Sequence, residues 1–116
     1  MRPKPVRQRS ARIPKIYLRN FAKEPMFRII YTNRFEKDVV KCAKRGLDLY
    51  MLEELVNDLK ETGIIPQKHR PHILSGKLRG FWECHIKADW LLIWLKDEDQ
   101  KTITLIDTGT HSDLFK

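Results

Sequence analysis

Three histidines and one aspartate stand where acid–base chemistry could be assembled. His72 precedes a series of strand-like segments, His85 and Asp89 flank a predicted chain reversal, and His111 follows the last strand-like segment. Imidazoles titrate near physiological pH, so a pair can supply a base and an acid, and a carboxylate can act as a base or fix an imidazole tautomer. Distant positions can converge in an antiparallel sheet. We therefore predict a proton-transfer site built from His72, His85, Asp89 and His111.

Basic side chains are dense around these four positions. A base that takes the proton of a ribose 2′-OH, cations that stabilise the phosphorane charge, and an acid that protonates the departing 5′-oxygen would together cleave a phosphodiester without a metal. The residue types therefore suit RNA cleavage. The basic residues in question are Lys68, Arg70, Lys77, Arg79 and Lys87.

Each of these side chains also has an ordinary structural interpretation. A lone loop or strand histidine needs no chemical role, Trp90 can be a core tryptophan after a turn, and Phe115 can anchor the chain or stack on a base. A zinc site made of the three histidines and Cys84 would match no compact ligand spacing. Cys84 should point to the core, opposite its neighbour His85, which argues against a Cys–His nucleophile. We expect no metal and no cofactor.

The elements that must position these residues follow from hydrophobic spacing and turn signals. A strand-like segment comes first, two amphipathic helices joined by Gly46-Leu47 follow, and three strand-like segments come last. Asn33 and Asp48 suit the start of the two helices, and residues 64–75 are expected to form a loop. The order predicts an α+β domain with two helices on one face of a mostly antiparallel sheet. The strand-like segments are Met26–Thr32, Leu78–Lys87, Trp90–Leu95 and Thr102–Ile106.

The net charge of +8 is concentrated at one end of the chain. Residues 1–25 carry eight basic side chains and one acidic one, whereas residues 26–116 carry 15 basic and 14 acidic side chains. We therefore expect a basic, poorly ordered extension over residues 1–25 and one folded domain over residues 26–116. The extension can be a solvated tail or a phosphate-binding arm, and Met26 can also be the natural start of the folded unit.

Composition also narrows the class of protein. No apolar segment approaches the roughly 20 residues that span a bilayer, and no secretory signal follows the basic N-terminus. Cys42 and Cys84 are far apart and fit buried, reduced thiols better than a disulfide framework. We expect a soluble cytoplasmic protein without a membrane partner.

Four motifs carry a family resemblance that covers about residues 26–115. They combine a histidine before Ile-Leu-Ser-Gly, a strand histidine, an Asp-Trp pair, and Gly-Thr-His with a terminal Leu-Phe. Together they resemble the YafQ toxins of the RelE/ParE superfamily, which are ribosome-dependent mRNA interferases paired with DinJ-type antitoxins. The motifs are His72–Gly76, Gly80–Ile86, Asp89–Ile93 and Thr108–Phe115.

The resemblance implies a RelE-like fold, with a small twisted sheet, and roles for individual residues. His111 would be the general acid, Asp89 or His85 the base, and His72 would orient the phosphate or share proton transfer. The implied partners are the ribosome, mRNA, a DinJ-like antitoxin and, through that antitoxin, operator DNA. The residues expected to bind substrate are Trp90, Phe115, Lys68, Arg70, Arg79 and Lys87.

Two other functions remain open on the same fold. A ParE-like gyrase poison would be non-enzymatic and would need no convergent histidines. A nucleic-acid-binding regulator would act through the basic residues 1–25. The small excess of basic side chains in residues 26–116 favours a nuclease that relies on a large partner to present the RNA.

Overall fold

The computed structural model describes residues 25–115, so the predicted extension lies outside the described residues except for Pro25. Two long helices follow the first strand, and a short third helix follows the last strand. Two 3-10 turns, Gln67–His69 and Gly76–Leu78, occupy the segment between helices and strands. The elements are β1 (Arg28–Tyr31), α1 (Asn33–Lys44), α2 (Leu49–Glu61), β2 (His72–Ile73), β3 (Trp82–Lys87), β4 (Trp90–Asp97), β5 (Thr102–Gly109) and α3 (His111–Leu114).

The described strands form one sheet in the order β1-β5-β4-β3-β2. β1 runs parallel to β5, while the other three pairings are antiparallel. Parallel pairing is possible because a long connection, which includes α1, α2 and three strands, separates β1 from β5. The predicted α+β architecture with a mostly antiparallel sheet is confirmed.

The two long helices begin at capping side chains. Asp48 accepts a hydrogen bond from the Tyr50 backbone N at 3.0 Å, as predicted for α2. The cap of α1 is Thr32, one residue before the predicted Asn33. The Thr32 hydroxyl accepts from the Phe35 N at 3.0 Å and donates to the Leu105 carbonyl at 2.8 Å. A hydroxyl can accept and donate at once, so Thr32 caps the helix and ties it to β5.

The core lies between the helical hairpin and one face of the sheet. β3 contributes alternate residues, which agrees with the prediction that Cys84 points inward. β4 is buried on both faces over Trp90–Trp94, as its continuous apolar sequence predicts. Both cysteines are reduced and buried. Burying a large apolar side chain stabilises a fold by about 1.5–3 kcal/mol. The main members of the hydrophobic core are Phe35, Cys42, Leu52, Leu55, Leu59, Cys84, Ile86, Leu92, Trp94, Ile103 and Leu105.

Several boundaries differ from the predictions. The expected loop contains β2, the strand predicted from Leu78 begins at Trp82, and β5 continues to Gly109 instead of ending at Ile106. β5 continues because its buried Thr108 hydroxyl is hydrogen-bonded inside the sheet. The Thr108 hydroxyl donates to the Leu91 carbonyl at 2.7 Å and accepts from the Trp90 indole at 2.9 Å. Buried polar groups cost little free energy once they are hydrogen-bonded.

No helix within residues 25–115 is long and apolar enough to cross a membrane.

Two carboxyl side chains, Asp38 of α1 and Asp107 of β5, lie together and join the helix to the strand. Asp107 is 8% exposed, its Oδ1 lies 2.6 Å from the Arg34 Nε, and it shares a hydrogen bond with Asp38. The Asp38 Oδ2 also accepts a hydrogen bond from the Thr108 backbone N at 3.2 Å. Burial, followed by the Asp38 hydrogen bond, raises the pKa of Asp107 to about 6, although Arg34 opposes the change. Asp107 therefore holds a proton that the unfolded chain releases nearer pH 4.

This carboxyl group makes stability depend on pH. Because the pKa of Asp107 is raised to about 6 in the folded state, its contribution is complete below pH 4 and is lost as the pH rises through 6. Asp107→Asn should remove that loss and leave the variant more stable than wild type at pH 7 by about 1 kcal/mol. Urea unfolding at pH 4.5 and pH 7 measures the difference, with the exposed Asp99→Asn as the matched control. Parallel pH profiles of wild type and Asp107→Asn would contradict it.

Candidate active site

Strand register brings the four predicted catalytic residues to one part of the sheet. His72 lies directly opposite Glu83 in the β2–β3 pair, and His85 is two residues further along the same face of β3. Leu91 pairs with Gly109 in the β4–β5 pair, and the same register continued outward sets Asp89 opposite His111. The predicted convergence of these residues is therefore a direct outcome of the antiparallel pairing.

The tightest contact of the site joins Asp89 to His111. The His111 Nδ1 lies 2.7 Å from the Asp89 Oδ1, and the His111 backbone N lies 3.4 Å from the same oxygen. This hydrogen bond from the His111 ring is the largest cause of a lowered pKa at Asp89. A carboxylate only accepts, so the His111 Nδ1 carries a proton and its Nε2 is the nitrogen that can meet a substrate.

His111 is the first residue of the short helix α3. A capping box starts that helix: the Thr110 hydroxyl accepts from the Asp113 N, and the Asp113 carboxylate accepts from the Thr110 N. The box fixes the backbone on both sides of the His111 ring.

His85 stands beside His111, with ring centroids 6.3 Å apart. Its Nδ1 lies 3.1 Å from the Ala88 carbonyl oxygen. A carbonyl cannot donate, so Nδ1 carries the proton and Nε2 of a neutral ring keeps its lone pair. His69, in the 3-10 turn before β2, is hydrogen-bonded to β3, because its Nδ1 donates to the His85 carbonyl at 2.8 Å. Sequence reasoning treated His69 only as a loop residue.

His72 meets acceptors on both ring nitrogens. Its Nδ1 lies 2.9 Å from the Arg70 carbonyl oxygen, and its Nε2 lies 3.1 Å from the Glu83 Oε1. The carbonyl can only accept, so Nδ1 carries a proton, while Nε2 is engaged by the Glu83 carboxyl group. Glu83 is 5% exposed, and its Oε2 is buried without a hydrogen-bond partner in the described part of the chain. Strand alternation placed Glu83 on the same face as His85, and this was the signal that could have identified it.

The residues predicted to bind substrate are exposed, with the exception of Trp90. Phe115 is 40% exposed and its ring centroid lies 5.7 Å from that of His111, so it borders the histidine pair. Trp90 is 4% exposed and its indole is hydrogen-bonded to Thr108, so the prediction that it contacts substrate is corrected to a core role. The four basic residues are exposed: Lys68, Arg70, Arg79 and Lys87.

Cys84 has no place in this site. It is buried on the helix-facing side of β3, and burial raises the pKa of its thiol to about 12. The alternative zinc site with Cys84 is therefore excluded by position. Within residues 25–115, no three His, Cys, Asp or Glu side chains form a group that could hold a metal ion.

An apolar groove lies elsewhere on the molecule, between α1 and α2. Its volume is about 560 Å³, and its lining includes Phe35, Val39, Leu52 and Val56 but none of the predicted site residues. The chemistry of the histidine cluster is therefore displayed on an open surface beside Phe115 and not inside this groove.

The sequence matches a known protein family over nearly all of the described residues. Residues 27–116 match the model of the bacterial toxin of type II toxin-antitoxin system, YafQ. The chain is 33% identical over 88 residues to the mRNA interferase toxin YafQ of Escherichia coli strain K12, which covers 75% of this chain and 94% of the relative. The sequence-based resemblance is confirmed.

Solved structures show the same fold. The toxin in the DinJ–YafQ toxin–antitoxin complex of E. coli aligns with a TM-score of 0.71 at 32% identity, covering 78% of this chain and 99% of that one. A metal-bound toxin from Helicobacter pylori aligns with a TM-score of 0.71 at 36% identity, covering 78% of this chain and all of the other.

The contact between Asp89 and His111 can be tested without an activity assay. Because the His111 ring hydrogen bond is the main cause of the lowered pKa of Asp89, His111→Ala should raise that pKa. Carbon-detected NMR titration of the side-chain carboxyl measures the change. Glu98, whose pKa is lowered by Lys96 and Lys101, should titrate as in wild type and serves as an internal control. An unchanged Asp89 titration would show that the two side chains do not interact in solution.

Proposed function

The chain belongs to the YafQ family of toxins from type II toxin–antitoxin systems, and from that premise we propose that it is an endoribonuclease that cleaves mRNA on the ribosome by metal-independent acid–base catalysis. The main support for the proposal is the histidine pair. The His111 Nδ1 is hydrogen-bonded to the Asp89 Oδ1 at 2.7 Å, and the centroids of the His111 and His85 rings lie 6.3 Å apart. Two imidazoles this close can contact different oxygens of one phosphodiester.

His85 is the proposed general base. Its Nδ1 proton is directed to the Ala88 carbonyl, so the Nε2 lone pair is available for the proton of a ribose 2′-OH. The 2′-oxygen then forms a bond to phosphorus. Asp89 is less suited to this role, because its Oδ1 is already engaged by His111.

His111 is the proposed general acid. The neighbouring Asp89 carboxylate stabilises the doubly protonated ring, whose Nε2 proton passes to the 5′-oxygen as the bond from that oxygen to phosphorus breaks. The products are a 2′,3′-cyclic phosphate and a 5′-hydroxyl. The base ends with one more proton and the acid with one fewer, so no other reactant is needed.

His72 is proposed to orient the phosphate. With both ring nitrogens engaged by Arg70 and Glu83, the ring is fixed in place and neither nitrogen is free to carry a proton. Phe115 borders His111 and can stack on a base next to the cleaved bond. The exposed cations proposed to contact RNA phosphates are Lys68, Arg70, Arg79 and Lys87.

The ribosome and an antitoxin are the proposed partners. Residues 26–116 have an excess of only one basic side chain, which gives weak affinity for free RNA because such binding grows with the number of phosphates neutralised. A ribosome that presents the mRNA would supply the missing affinity. The E. coli relative is known in complex with DinJ, so we propose a DinJ-like antitoxin, which would also connect this chain to operator DNA.

Cleavage assays test the reaction class. Wild-type protein should cut mRNA on translating ribosomes at least tenfold faster than the same RNA free in solution, and EDTA should not change the rate of the ribosomal reaction. His111→Ala should lower that rate by about 10²–10⁴-fold, the usual contribution of one acid–base group, while circular dichroism shows an intact fold. A toxic but non-cleaving protein whose toxicity survives His111→Ala would indicate the ParE-like alternative. Deleting residues 2–25 would abolish the activity of a nucleic-acid-binding regulator but should leave a nuclease largely competent.

A substrate with sulfur in place of the 5′-oxygen separates the two histidine roles. A thiolate leaves without a proton, so this bridging phosphorothiolate needs a base but no acid. We expect it to restore most of the rate lost in His111→Ala and little of that lost in His85→Ala. Equal restoration in both variants, or restoration only in His85→Ala, would contradict the assignment.

A further inference from the structure

A second anchor holds the helix that carries His111. Arg45 is the C-terminal cap of α1, and its guanidinium forms a bidentate pair with Asp113 on α3: Nη1 lies 2.7 Å from Oδ2, and Nη2 lies 3.0 Å from Oδ1. The two residues are 68 positions apart in the sequence. Two parallel hydrogen bonds fix the direction as well as the distance of the carboxylate.

Asp113 is a shared acceptor. The same carboxylate that receives Arg45 also accepts from the Thr110 N at 2.9 Å and so completes the capping box around His111. Arg45, followed by the Thr110 backbone, holds the pKa of Asp113 well below its usual range. The residue before His111 and the residue two after it are therefore tied, through one carboxylate, to the end of α1.

The short helix has little else to hold it. α3 has four residues, none of them buried, and one helical turn is not stable by itself. Besides the hydrogen bonds from His111 to Asp89, the cap and Arg45 are the polar contacts that hold α3 in the described part of the chain. Given the proposed function, we propose that Arg45 is a positioning residue, which aligns the general acid from 68 residues away through Asp113.

An ordinary surface ion pair would behave differently. Exposed pairs usually contribute little to stability, and removing one leaves its surroundings unchanged. A positioning role instead predicts that loss of Arg45 reaches the Asp89–His111 contact, which lies beyond the residues that Arg45 touches. This difference can be measured apart from stability and apart from activity.

The experiment compares Arg45→Met with Arg45→Lys in the full chain. Lys44→Met is the matched control, because Lys44 is the adjacent basic residue of α1 and makes no ion pair within residues 25–115. In Arg45→Met the pKa of Asp89 should rise part of the way towards its value in His111→Ala, and the α3 amides should exchange faster with solvent. Arg45→Lys should recover part of the wild-type behaviour, and Lys44→Met all of it.

Cleavage kinetics give the second readout. Arg45→Met should lower kcat about tenfold with little change in KM, and the 5′-sulfur substrate should restore the rate because the defect is in delivery of the acid's proton. An unchanged Asp89 titration and kcat would overturn the proposal, and so would an equal loss of rate on both substrates. If wild-type protein cleaves no mRNA, the proposed function fails, while the NMR measurements still decide whether Arg45 positions His111.

Discussion

The registers of three antiparallel strand pairs hold the candidate active site together. They set His72 against Glu83 and continue the Leu91–Gly109 pairing to Asp89 and His111. Because side chains alternate along a strand, a slip of one residue in β3 would turn His85 inward and Cys84 outward.

The hydrophobic core prevents such a slip. Cys84 and Leu92 are paired across β3 and β4 and are fully buried, and the Trp82 and Trp94 rings stack with centroids 5.9 Å apart. Apolar packing on one face of the sheet therefore determines which polar groups meet on the other. The apolar face that stabilises the domain therefore also fixes the arrangement of the histidines on the opposite face.

Three chemically identical imidazoles acquire different properties from the acceptors beside them. A neutral carbonyl accepts the Nδ1 proton of His85 and leaves Nε2 a lone pair, whereas a charged carboxylate accepts the Nδ1 proton of His111. His72 has one acceptor of each kind and is left with no nitrogen for proton transfer. Backbone carbonyls and neighbouring acids thus give the three histidines different hydrogen-bonding environments, although the rings are not deeply buried.

Sequence patterns were informative where they were long or strongly alternating. The helical hairpin, the doubly buried β4 and the convergence of the histidines could all be predicted. β2 has two residues and so no pattern to detect, and the buried polar end of β5 looks like a turn until its hydrogen bonds are known. The contacts of Glu83 and Arg45 depend on register and on helix placement, which one sequence does not contain.

The parallel pairing of β1 with β5 has a consequence during protein synthesis. Arg28 pairs with Thr102, so among the described strands β1 has no partner until β5 has been translated. At about 5–20 residues per second this interval lasts several seconds, and non-local pairing is slow to form thereafter. His111 follows β5, so the His85–His111 pair also forms only after β5 has been translated. The topology therefore makes assembly of the sheet and of the histidine pair depend on the same strand.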